Sequence, residues 1–352
     1  MKTSLFQRFA AWTALVLILS SAPAFSASSA VHYQLVKKIP LGAAPGGREY
    51  FDYLTMDTAA RRLYLSHGTE VKVVDADTFA VTGTISGLQR CHGIMLVPDL
   101  HKGFITDGDA GKVIVFDMAS LKITGEIKAQ PDADAIVYDP ASRRIFSFNG
   151  NAKNATVIDP AKDAVVGTIS LGGGPENGVA DGKGLVFDNN EETNEVVVID
   201  ATTLAIKARW PVAPAGGPTS LAMDTAHRRL FSAGRNPQAL VIMDADTGKV
   251  IRSFPLSAGA DATIFEPDTG LIFTSTREGK IHIFHEDTPD AYSEVQTVTT
   301  EVGAKTMALD PKTHHLFLTT SDFNPPPAPT AARPHPNPVP IPGTFRLLVY
   351  GR

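Results

Sequence analysis

Cys91 and His92 stand side by side in the stretch "QRCHGIM", and Cys91 is the only cysteine among 352 residues. A thiol next to an imidazole is the composition of a nucleophile with its base, a metal-ligand pair or a haem tether. A haem tether needs C-x-x-C-H, and only C-H is present. Neighbours on an extended strand point to opposite faces, which argues against a Cys–His dyad. No papain-like signature surrounds the cysteine. The chain also lacks a serine-nucleophile motif, a glycine-rich phosphate loop and a zinc-spaced cluster. The remaining chemistry is carried by polar residues far apart in sequence: Asp52, His92, Asp134, Asn177, Thr219, Asp261 and Lys305. Gathered in one place, they would suit a small polar ligand. Asp52, His92, Asp134 and Asp261 would also suit a divalent metal, because they offer oxygen and imidazole donors.

What gathers them is a repeat. The turns in "TMDTAARRLYLSHG", "VPDLHKGFITDG", "YDPASRRIFSFNG", "GVADGKGLVFDNN", "MDTAHRRLFSAG", "FEPDTGLIFTST" and "LDPKTHHLFLTT" are anchored at Asp57, Val97, Asp139, Asp181, Asp224, Glu266 and Asp310, spaced 40 to 44 residues apart. A second landmark follows in six copies, as in "VKVVDADT" and "VVVIDATT", and then a further strand. Four strands per unit in seven units predict an all-β, seven-bladed β-propeller. "HYQLVKKIPLG" reads as the fourth strand of a blade and "TFRLLVYGR" as a third. The two chain ends should therefore complete the last blade and leave no open sheet edge between them.

The elements "DTAARRLYLSHG", "DPASRRIFSFNG" and "VVVIDATT" resemble those of the YVTN (YncE-like) family of seven-bladed propellers across nearly all of residues 28–352. The namesake tetrapeptide is replaced by "LYLSHG" and "LFSAGR". The resemblance implies a closed propeller of a kind often exported. Ligand, protein and nucleic-acid binding and roles beside redox enzymes are all associated with such proteins, so no catalytic residue is implied. "DADTGKVIRSF" is similar to a quinoprotein repeat, but Phe254 stands where a tryptophan is expected and no other blade repeats the pattern.

In a propeller the first strand of each blade runs along the central channel, and the residue opening it sits at the mouth. Asp52, His92, Asp134, Thr219, Asp261 and Lys305 each lie five residues before their anchor, and Asn177 lies four before Asp181. These seven form the expected polar ring, with Cys91 turned toward inter-blade packing. Water alone or a small polar ligand would satisfy such a mouth. A second tier follows at His67, Asp107, Asn149, Asn189, Gly234, Ser275 and Thr320, where Asn and Asp commonly cap turns. Arg48, Arg90, Arg235 and Arg277 are placed on rim loops as anion contacts or as solvated charges. The pairs Arg61–Arg62, Arg143–Arg144 and Arg228–Arg229 recur at one repeat position, which predicts a structural role at the opposite face.

Residues 321–344, "SDFNPPPAPTAARPHPNPVPIPGT", interrupt the last blade. Their proline content predicts extended polyproline structure without strands, forming a lid over the mouth, a ledge for a partner or a loop with neither role. At the other end, residues 1–27 have a basic start, an apolar run and small residues, the layout of a secretory signal peptide, with cleavage between residues 24 and 30. A periplasmic or secreted monomer is expected. The net charge is −5 and no Lys/Arg run exceeds two, which disfavours nucleic acid as a partner. Two functions remain. The first is a non-catalytic propeller binding a small polar molecule or an exported protein at the mouth. The second is a metal-assisted hydrolase or lactonase-like enzyme built on the Asp/His ring, with no other cofactor implied.

Overall fold

A computed structural model describes residues 31–330 and 336–352; the expected signal peptide lies outside them. Residues 32–352 form one compact unit of seven four-stranded antiparallel blades. Blade 1 runs through Phe51–Asp57, Arg62–His67, Glu70–Asp75 and Val81–Ser86, and blades 2 to 6 repeat this order. The inner strands open with Cys91–Val97, Ala133–Asp139, Pro175–Ala180, Pro218–Asp224 and Ala260–Glu266 in turn, and with Met307–Asp310 in blade 7. Each packs against the next, and that of blade 7 against that of blade 1, so the ring is closed. Blade 7 takes its third strand from Arg346–Gly351 and its outer strand from Gln34–Pro40, which pair from Gln34↔Gly351 to Pro40↔Arg346.

The strand patterns follow from these positions. Second strands such as "RLYLSH" are covered on both faces and almost wholly buried, whereas outer strands such as "VTGTIS" face solvent along most of their length. The apolar core lies in layers between blades. Between blades 1 and 2 it comprises Tyr64, Val73, Ile94, Ile105 and Phe116. Cys91 joins this layer, its thiol donating to the carbonyls of Glu70 at 3.1 Å and Gly68 at 3.3 Å. Burial pushes this thiol up to about 12, so it is neither a nucleophile nor a ready ligand.

The inner strands depart from regular pairing at the mouth. The register shifts between Phe51 and Leu54, Cys91 and Ile94, Ala133 and Ile136, Pro175 and Gly178, Pro218 and Ser220, and Ala260 and Ala262. An extra residue is thus bulged out in each of these six blades, where a bulge re-aims a side chain and frees a carbonyl from the ladder. Neighbouring blades recapture such carbonyls: Thr106 donates to the Asp134 carbonyl and Thr306 to that of Asp52, and in blade 7 the Lys305 carbonyl likewise accepts from Ser275.

At the opposite end, the recurrent arginines join blades. Arg61 donates to Asp310 and Arg228 to Asp181, each reaching the preceding blade's anchor. The second members point forward, Arg62 to the Met118 carbonyl, Arg144 to that of Ala201 and Arg229 to that of Pro289. The structural role expected for these pairs therefore has a definite form at Arg61–Arg62 and Arg228–Arg229, and at Arg144 of the remaining pair. His314 of blade 7 is half-buried and serves as a latch to Glu266 at 2.7 Å.

One expectation is corrected here. The proline-rich insertion does carry strand pairing, since Phe323–Asn324 pairs with Val339–Pro340 and the Ile341 amide donates to the Asp322 carbonyl. Proline lacks the amide donor but keeps its carbonyl, so Pro340 can end a two-residue ladder.

Candidate functional site: the channel mouth

The bulges bring most of the expected ring together in a well of about 220 Å³. Its wall includes Asp52, Asp134, Asp261 and Lys305 with Arg90, Arg235 and Arg277. His92 lies just behind the wall, with Nδ1 2.8 Å from Asp52 Oδ2 and 3.0 Å from Asp134 Oδ1. The Tyr50 hydroxyl is 2.7 Å from the same Asp52 oxygen and 3.0 Å from His92 Nδ1. Lys305 Nζ donates to Asp52 Oδ1 at 2.7 Å and lies 3.4 Å from Asp261 Oδ2. Asp261 also receives Arg235, and Arg277 at 3.1 Å.

Burial works against charge at this site, and pairing restores it. Burial would raise the Asp52 carboxyl, but Lys305 and His92 hold it well below the usual carboxylate range. Burial would lower the His92 imidazole, yet Asp134 and Asp52 raise it to about 9, so it carries a proton at neutral pH. Asp261 is likewise lowered, against its burial, by Lys305, Arg277 and Arg235.

Two ring members are placed differently from expectation. Asn177 accepts the Leu221 amide at 3.2 Å, and Glu176 lines the well in its stead. Glu176 lies five residues before Asp181, so the spacing is uniform around the ring; residues 176 and 177 share the bulge, and only the backbone decides which faces the mouth. Burial, then the nearby Asp134, push the Glu176 carboxyl well up, toward its neutral form. Thr219 is buried and donates to the Ala260 carbonyl at 2.7 Å. Arg235, from the neighbouring strand of the same blade, reaches the well instead.

The rim divides as well. Arg90 lies over the Tyr50 ring at 4.5 Å and donates to Asp132 at 3.2 Å. Arg48 pairs with Asp109, is half-exposed and lines neither the well nor the adjoining cleft. The second tier is mainly structural: Asp107 accepts the amides of Gln89 and Arg90, and Asn189 donates to the Ser220 carbonyl. His67 stacks on Phe345 and contacts Glu49 at 2.8 Å.

Residues that the repeat did not single out complete the site. Tyr50 and Asp132 lie just outside the repeat positions. Tyr53 lines the well from blade 1 yet packs against the core between blades 3 and 4, so a phenol crosses the channel at this level. Beside the well, a cleft of about 340 Å³ runs beneath the insertion, with Phe51, Val302, Phe323, Pro338 and Pro340 in its wall. Tyr50, Arg90, Arg277 and Lys305 belong to both walls. Arg277 Nε is buried there without a hydrogen-bond partner.

The metal expectation meets this geometry only in part. Ligand atoms of Asp52, His92 and Asp134 lie within 4.8 Å of one another, and Asp261 is not part of that cluster. The Lys305 ammonium, 2.7 Å from Asp52 Oδ1, already places a positive charge beside these three ligands.

No family model and no curated protein matches the chain. Among solved structures, the propeller is similar to a chain of hydrazine synthase from Kuenenia stuttgartiensis, with a TM-score of 0.68 and 16% identity over 77% of this chain and 92% of that one. It is also similar to a chain of a mitotic checkpoint complex, with a TM-score of 0.71 and 12% identity over 87% of this chain and 95% of that one. At these identities the likeness is one of fold.

Proposed function

We propose that this chain is an exported, YVTN-like propeller that binds a small organic anion at the channel mouth without transforming it. The observation that carries this is the continuity of well and cleft through Arg90, Arg277 and Lys305. A carboxylate or phosphate would meet these cations, with the free Arg277 Nε–H as an unspent donor. An apolar body would lie against Phe51, Phe323 and Pro340. Concave sites of this size, mainly apolar with a few convergent polar groups, are the usual form of small-molecule sites. Export rests on the layout of residues 1–27, and the family placement on the repeat elements. No helix among the described residues is long and apolar enough to cross a membrane.

The test is a thermal-shift screen of the purified protein against aliphatic and aromatic carboxylates and phosphate monoesters. A ligand at a hundredfold its Kd adds about 2.7 kcal/mol of stability. The expected result is a hit whose affinity falls at least tenfold in Arg277→Ala and in Lys305→Ala. Unchanged affinity in both variants would remove the mouth as the site, and binding lost only on deletion of the proline-rich segment would favour a protein partner docked on that ledge.

A further inference from the structure

The inter-blade latch is rewritten at the junction of blades 5 and 6. At three junctions a turn residue in the left-handed conformation sends a cation to the preceding anchor: Arg61 to Asp310, Arg228 to Asp181 and His314 to Glu266. Blade 6 has Gly270 at this position, identified by its φ of 67° and by its amide donating to the Glu266 carbonyl, as the His314 amide does to that of Asp310. The blade 5 anchor, Asp224, therefore receives no cation from blade 6.

A second carboxylate stands there instead. The residue whose amide bonds the latch carbonyl is Ala76 in blade 1, Met118 in blade 2, Ala201 in blade 4 and Ala245 in blade 5, but Glu286 in blade 6. Blade 4 also has a glycine, Gly184, at the latch, yet the residue that follows it is Ala201, which has no carboxylate. Only 3% of the Glu286 side chain is exposed, and neither of its carboxylate oxygens has a hydrogen bond. Its ion-pair contact is Oε1 with His227 Nδ1 at 2.9 Å, and the same nitrogen lies 2.7 Å from Asp224 Oδ2. The nearby arginines are committed elsewhere, Arg228 to Asp181 and Asp246, Arg229 to Asp244 and Asp290.

We propose that Asp224, His227 and Glu286 bind a divalent transition-metal ion of the zinc type, at the end of the inner strands opposite the channel mouth. Their ligand atoms lie within 4.8 Å of one another, and ligands held at about 2.1 Å from an ion can close on it from such separations. Two carboxylates and one neutral imidazole balance a dication, and an oxygen and nitrogen set with a histidine favours zinc or manganese over calcium. The site opens into a solvent cleft also lined by His285 and Asp287, which gives the ion a path in and leaves room for water as a fourth ligand. The ion would replace the guanidinium as the bond between blades.

Titration calorimetry of the EDTA-stripped full chain with Zn²⁺ and Mn²⁺ tests this. Glu286→Ala installs the residue type of blades 1, 4 and 5, and Gly270→Arg restores the latch at a backbone angle that Arg61 and Arg228 already adopt. Both should fold, and both should weaken the ion at least tenfold and remove its effect on Tm. His92→Asn should leave the ion in place. Absence of binding in the parent chain, affinity unchanged from the parent in either variant, or loss in His92→Asn alone would overturn the proposal.

Discussion

His92 is 1% exposed and shares one nitrogen among two carboxylates and a phenol. Its folded value of about 9 lies above the unfolded value near 6.5, so the stability it contributes is fully present below pH 6.5 and lost as pH rises through 9. Unfolding free energy should fall by roughly 3 kcal/mol across that window. Denaturant titrations at pH 6 and pH 9.5 should show this drop in the parent chain and a flatter profile in His92→Asn. Asp188 presents the reverse case. It occupies the fourth position of its strand, where blades 1 and 2 have Leu65 and Ile105, and both its oxygens are buried without hydrogen bonds. Burial pushes its carboxyl well up, with Arg209 opposing weakly, so stability declines as pH rises above the unfolded value near 4. Asp188→Asn should raise stability at pH 7 by about 1–3 kcal/mol, a gain that vanishes below pH 4 and is read from Tm against pH.

At the scale of elements, the bulge and the latch do different work at opposite ends of the inner strand. Where it occurs, the latch fastens a blade to its neighbour through a buried anchor: the Asp310 side chain is fully buried, and Arg61, against the cost of burial, helps hold its carboxyl down to about 2. Arg61→Ala should cost about 1–3 kcal/mol, because it leaves Asp310 buried without its cation but still bonded to Thr313 and the Lys312 amide. A matching loss in Asp310→Ala, with the double variant no worse than either single one, would identify the pair as one unit; additive losses would not. The anchor spacing made a structural role for the recurrent arginines legible, since Asp57, Asp139 and Asp224 recur with Arg61, Arg143 and Arg228 behind them. The choice between Glu176 and Asn177 was not legible, because a bulge places two residues opposite one and hydrophobic patterning carries no signal among polar residues.

For the whole molecule, the ring is closed by strands from opposite chain ends. Gln34–Pro40 covers the edge of Arg346–Gly351 and carries Lys37, Lys38 and Pro40, residues that discourage further pairing on the new edge. Deleting residues 34–40 would bare the hydrogen-bonding edge of a strand whose Leu347, Leu348 and Val349 are fully buried. The expected outcome is a lower Tm with dimers or larger species in size-exclusion chromatography. A monomer with an unchanged Tm would show that the velcro-like pairing contributes little.

The sequence by itself determined seven four-stranded blades, the closing of the last one by both chain ends and the polar character of the mouth. These are periodic features, and a repeat of 40 to 44 residues states each of them several times over. Only the tertiary structure decided which side chains meet. Tyr50 beside His92, Tyr53 across the channel, the cleft beneath the insertion, and Glu286 facing Asp224 each join residues from different blades or outside the repeat. Such contacts are set by bulges and by loop paths that occur once, and no recurring pattern in the chain announces them.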